Sequence, residues 1–133
     1  MEDQISTQHF RNLLSIAVAD GILDKSELEF IFKRTGKYFL TVREIETIDL
    51  NAINVQPLVI KDAKERAQKM LDLIELMYLD GEAHERERRL CIMFGVSMGY
   101  PANDMEELVD QVAAELNSKA PKKRVLGLIK NWN

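Results

Sequence analysis

The sequence predicts an all-α fold, a single-domain bundle of about seven helices containing two pseudo-repeated helix–Asp-Gly–helix hairpins. Three observations predict it. Apolar residues recur at three- and four-residue spacing along nearly the whole chain, while runs that alternate apolar and polar residues are few. Only three prolines and six glycines punctuate the 133 residues. The dipeptide Asp-Gly occurs twice, at Asp20-Gly21 and Asp80-Gly81, each time after a strongly apolar helical segment.

The elements follow in order. A first helix is expected from about Thr7 to Asp20, with Phe10, Leu13, Leu14 and Ala17 on one face and Asp-Gly closing it. A second, from about Lys25 to Thr35, uses Leu28, Ile31 and Phe32 and stops near Gly36, a residue suited to a left-handed terminator. Thr41 and Glu44 have the spacing of a capping box, in which hydroxyl and carboxylate each satisfy a backbone N–H, so a third helix starts there and ends before Pro57.

The fourth helix, about Lys61 to Asp80, carries Ala63, Ala67, Met70, Leu71, Ile74, Met77 and Tyr78 along one stripe. Its last two turns are apolar nearly all round, the pattern of a central helix packed on several sides. A fifth is expected from about His84 to Val96. After Gly99-Tyr100-Pro101, Asn103 with Glu106 three residues on opens a sixth, bearing Met105, Leu108, Val109, Val112 and Leu116. A short seventh follows Pro121, with Val125, Leu126, Ile129 and Trp132 facing the core.

A chain of this length can bury a sizeable core without disulfides or structural zinc, and no composition shift or long linker divides it, so residues 1–133 read as one domain. No window approaches the roughly 18 to 20 consecutive apolar residues a membrane span needs. The polar, acidic start MEDQISTQHF lacks the features of a secretory signal, and a cytoplasmic location is expected. The one cysteine, Cys91, lies in the apolar run Leu90-Cys91-Ile92-Met93-Phe94, where a thiol packs as a small hydrophobe.

Net charge is −4, and the basic clusters Arg86-Arg88-Arg89 and Lys122-Lys123-Arg124 are short enough to be solvated helix faces. That balance points away from nucleic acid, whose binders gain affinity by neutralising phosphates. No nucleophile elbow, phosphate loop or zinc spacing supports His9 or His84 as a catalytic residue, and no small-molecule substrate is evident. A non-catalytic role is expected.

A shift of 60 residues lays Leu13 on Leu73, Asp20 on Asp80, Gly21 on Gly81 and Glu27 on Glu87, with apolar residues matching on the flanking faces. Each unit overlaps the second half of an EF-hand loop. The upstream ligand positions, however, fall on Ile16, Val18, Leu76 and Tyr78, which cannot coordinate calcium, so these are not EF-hands. An aspartate at a helix C-terminus opposes the helix dipole by a few tenths to about 1 kcal/mol unless something compensates. Two accounts follow. Asp20 and Asp80 can accept backbone N–H groups as Asx turns do, with Glu27 in a capping box with Asp24. Alternatively, if the hairpins face each other, Asp20, Asp24, Glu27, Asp80, Glu82 and Glu87 make an acidic cleft suited to a hard divalent cation, calcium or magnesium.

The segment from Ile16 through Ala19-Asp20-Gly21 to Glu27, repeated more weakly from Leu76 through Asp80-Gly81 to Glu87, resembles the paired signature of the TerB-like tellurite-resistance family across about residues 10–100. The resemblance implies a compact bundle of about seven helices, no established enzymatic turnover, and cation binding or sensing in stress-response assemblies. Carried over by position, it implies metal ligation by Asp20, Glu27, Asp80 and Glu87. The expected function is then a non-catalytic regulatory domain that binds a divalent cation and engages a protein partner. The alternative is a metal-independent helical adaptor whose acidic groove takes a basic partner segment.

Overall fold

In the computed structural model the chain is described over residues 4–19, 25–35, 59–79 and 83–132. These residues hold six α-helices and no strand: α1 (Gln4–Ala17), α2 (Lys25–Thr35), α3 (Ala63–Met77), α4 (Glu85–Met98), α5 (Met105–Asn117) and α6 (Lys122–Lys130). The third helix expected from Thr41, the terminator at Gly36 and the two Asp-Gly dipeptides lie outside the described residues.

α3 is the hub. Met70, Leu71, Leu73, Ile74, Leu76 and Met77 are all buried, so this helix offers apolar side chains in every direction. It touches each of the other five helices, as an all-round apolar surface requires. Asp62 starts it by accepting the backbone N–H of Glu65 at 3.2 Å, satisfying one of the donors a helix leaves open at its first turn. α1 lies against α3 with Phe10, Leu13, Leu14, Ile16 and Ala17 buried. α2 adds Leu28 and Ile31, and α4 adds Cys91, Phe94 and Met98.

α1 and α3 end alike. Val18 N–H donates to Leu14 O and Ala19 N–H to Ile16 O, while Tyr78 N–H donates to Ile74 O and Leu79 N–H to Leu76 O. The next helices begin at Lys25 and Glu85, so Glu27 and Glu87 are each the third residue of their helix.

Gly95 sits where α4 crosses α3 and α5. A Cβ there would collide with the Met105 methyl and press on the Met70 thioether, so these two flexible side-chain ends pack into the space the glycine leaves. Gly99 closes α4 at φ 119°, a left-handed conformation that favours glycine, and Pro101 prevents continuation. The entry to α5 corrects the expectation at Asn103. A 3-10 turn spans Ala102–Asp104 and α5 begins only at Met105, because the fixed φ of Pro101 leads into a tight turn first. α6 follows Pro121 and buries Val125 and Ile129, and Trp132 packs half-buried on the core.

Candidate functional site

Four polar side chains are buried on α1 and α3: His9, Asn12 and Ser15 on α1, and Asp72 amid the apolar run of α3. Burial without partners would cost each of them free energy. Ser15 turns back onto the Arg11 carbonyl at 2.8 Å, and Asn12 accepts from Gln8 at 2.8 Å. His9 and Asp72 meet across the interface, with Nε2 3.0 Å from Oδ2. The other Asp72 oxygen accepts from Gln68 at 3.0 Å and from Arg34 of α2 at 3.5 Å. Arg34 also reaches Glu75 at 3.4 Å and lies 4.8 Å from the centre of the Phe30 ring. Three helices are thereby joined through one carboxylate.

Burial depresses the pKa of His9 below 6.5, against the opposing pull of Asp72. The ring is therefore neutral at neutral pH, and donation to the carboxylate puts its proton on Nε2. A histidine oriented by aspartate is one half of a nucleophilic triad. Here, however, His9 and Asp72 are 5% and 3% exposed, which closes the pair to substrate. Its chemistry is spent holding α1 to α3. Cys91 is likewise fully buried, and desolvation pushes its thiol up to about 12, so the reactive thiolate is suppressed.

Of the carboxylates expected to bind metal, Asp20 and Asp80 lie outside the described residues, as do Asp24 and Glu82. Glu27 is half-buried in the first turn of α2. Glu87 is buried in the first turn of α4, where it accepts the backbone N–H of His84 at 3.0 Å, half of a capping box. Glu85 pairs with Arg89 at 3.1 Å. Among the described residues no three histidine, cysteine, aspartate or glutamate side chains converge to hold a metal ion.

The open feature lies elsewhere. A cleft of about 850 Å3 runs between the first half of α3 and α6. Lys64 and Lys69 stand on the α3 side and Lys122, Lys123 and Lys130 on the α6 side, with Asp62 and Glu65 the acidic residues of its lining. Half-buried Leu126 and Gly127 supply apolar surface between them, above the buried Ala67. Gln68 also lines the cleft and hydrogen-bonds Asp72, which ties the groove to the buried cluster. Burial raises the pKa of Glu75, and nearby Arg34 and Lys122 oppose it, so the field of the groove reaches the same cluster. The pair Lys122-Lys123 is thus one rim of a groove as well as a solvated face.

Sequence reasoning missed both features. The buried pair had a visible trace, since Asp72 interrupts the apolar run of α3 and His9 adjoins the apolar stripe of α1. The cleft had none, because its two walls lie more than fifty residues apart in the chain. Comparison with protein-family models, with curated proteins and with solved structures finds no match for this chain.

Proposed function

We propose that this chain is a non-catalytic interaction domain of the regulatory or stress-response kind, acting by engagement of a protein partner. The observation that carries the reading is the placement of its reactive groups. His9, Asp72 and Cys91 are committed to the interior, while the open cleft is lined by lysine stems and small apolar residues and has no buried titratable group at its base. Such a surface suits binding better than turnover. Among the described residues no helix is long and apolar enough to cross a membrane.

A second form of the reading adds a divalent cation, calcium or magnesium, at Asp20, Glu27, Asp80 and Glu87. It is favoured by the matching ends of α1 and α3 and by the shared third-residue position of Glu27 and Glu87, which is what a paired helix–Asp-Gly–helix repeat of the TerB-like kind requires. The expected acidic groove for a basic partner has less support, since the cleft found here is basic.

Capture of a partner from the native cell extract by immobilised protein, with and without chelator, tests the reading. Retention of a specific partner that survives chelator supports the metal-independent form. Retention that needs the cation, with calorimetric cation binding lost in Asp20→Asn and Asp80→Asn, supports the second. No retention under either condition overturns both.

A further inference from the structure

The cleft between α3 and α6 holds more positive charge than the fold uses. Among the described residues none of its five lysines has an ion-pair partner, although the arginines Arg34, Arg88, Arg89 and Arg124 all do. Of the two carboxylates in the lining, Asp62 and Glu65, Asp62 is engaged in capping α3. Five lysines against two lining carboxylates, with Lys122 also facing Glu75, leave the rims with an excess of positive charge.

The floor is also lower than helix stability favours. Gly127 is interior to α6, where glycine costs about 0.8–1.0 kcal/mol relative to alanine. Among the described residues nothing lies within 4 Å of the position a Cβ would occupy, so none of them requires the glycine. The gap at Gly127 lets a foreign backbone approach α6 closely. Lys122 and Lys130 bracket it about 12 Å apart along the axis, the length of two helical turns.

We propose that this cleft is a docking site for an acidic amphipathic helix of a partner protein, an inference that rests on the partner-binding reading above and names the partner's chemistry. An apolar stripe on the incoming helix lies on Leu126, Gly127 and the lysine stems of the rims. Its flanking glutamates or aspartates meet Lys64 and Lys69 on one rim and Lys122 and Lys130 on the other. This is helix-in-groove recognition, with charge fixing register and orientation. The net charge of −4 for the whole chain disfavours a long polyanion, which would be repelled wherever it left the groove, whereas a short acidic helix meets a lining in which five lysines outnumber Asp62 and Glu65.

The probe is a fluorescein-labelled, stapled peptide of about three helical turns, with leucines along one face and glutamates on both flanks, read by fluorescence anisotropy and by amide shift mapping. It is expected to bind saturably, more weakly as salt rises, with the largest shifts at Lys64, Gln68, Leu126 and Gly127. Gly127→Leu fills the floor and Lys122→Glu with Lys130→Glu reverses one rim; each is expected to weaken binding about tenfold or more. Circular dichroism and the thermal midpoint check that both variants stay folded, and the lysine variant lies wholly at exposed positions. The proposal is overturned if the peptide does not bind, if both variants bind it unchanged, or if a glutamine-for-glutamate peptide binds equally well. Binding of a single-stranded oligonucleotide or of phosphatidylglycerol vesicles at these residues in place of the peptide overturns it too. If Gly127→Leu still captures the partner from extract, the interaction reading stands and the cleft is not its site.

Discussion

His9 and Asp72 are 63 positions apart in the chain and 3.0 Å apart in the fold, joining α1 to α3 inside the apolar core. A buried pair of this kind does not need to be strongly stabilising to be costly to break. Removing one partner strands the other without water, a penalty of about 1–3 kcal/mol, and His9→Ala adds a cavity. His9→Ala and Asp72→Ala are each expected to lower unfolding free energy in urea by about 2–4 kcal/mol. The double variant should cost less than the sum, since each single change already forfeits the same bond. Strict additivity would mean that the two side chains do not interact.

The same pair makes stability depend on pH in a definite direction. Burial holds His9 in the native state below 6.5, and unfolding restores the ordinary value. Between those two values the unfolded chain binds a proton that the native protein does not, so its contribution is fully present above 6.5 and lost as pH falls below it toward the native-state pKa. His9→Gln keeps a neutral donor and removes the titration. The stability gap between native protein and His9→Gln is therefore expected to narrow as pH is lowered from about 7 to about 5.5, measured by thermal unfolding of both. A gap independent of pH would contradict the assignment.

How much of this was legible in the sequence depends on the range of the interaction. α2 spans Lys25–Thr35, where its apolar spacing places a helix, and the all-round apolar end of α3 translates directly into contact with every other described helix. Those features are encoded within a few turns of chain. The start of α5 was misplaced because Asn103 and Glu106 satisfy a four-residue pattern that a 3-10 turn after Pro101 pre-empts. Periodicity places His9, Asp72 and the five cleft lysines on helix faces, but which face meets which is decided by tertiary packing. For that reason the partner of His9 and the facing walls of the groove could not be read. The carboxylates Asp20 and Asp80, the most conspicuous in the sequence, lie outside the described residues.

Two helix-interior glycines should respond oppositely to added side-chain bulk. At Gly127 a methyl group meets no described residue within 4 Å, so Gly127→Ala is expected to stabilise the protein by about 0.5–1 kcal/mol through helix propensity. At Gly95 any side chain presses on Met105 and Met70 in a filled core. Gly95→Leu is expected to destabilise by at least the roughly 1–3 kcal/mol of overpacking. Urea titrations of the two variants beside the native protein decide both signs. A destabilising Gly127→Ala would mean that the floor of the cleft is occupied or strained.

Cys91 is expected to be inert while the protein is folded. Its thiol is fully buried and its pKa is raised to about 12, so at mildly alkaline pH almost none is thiolate. Reaction with a disulfide reagent should proceed at the rate of unfolding, saturate with reagent concentration, and become immediate in denaturant. A rapid phase in native buffer, first order in reagent, would show an accessible thiol and remove the packing role given to it here.

Glu87 separates a structural carboxylate from a metal-binding one. Its Oε1 accepts the His84 N–H at the first turn of α4, a bond that the carbonyl of glutamine can also make but alanine cannot. Glu87→Ala is therefore expected to cost about 0.5–2 kcal/mol, and Glu87→Gln much less, because capping needs an acceptor rather than a charge. A hard divalent cation is different, since it draws most of its binding from ionised oxygens, and Glu87→Gln would then weaken cation affinity while leaving the thermal midpoint of the metal-free protein nearly unchanged. Calorimetric titration with calcium and magnesium, run on Glu87→Gln and on Glu27→Gln, reads the second quantity, and thermal unfolding in chelator reads the first. If both glutamine variants keep native stability and native cation binding, the two glutamates serve their helix starts alone. If stability holds and cation binding falls in both, Glu27 and Glu87 are ligands.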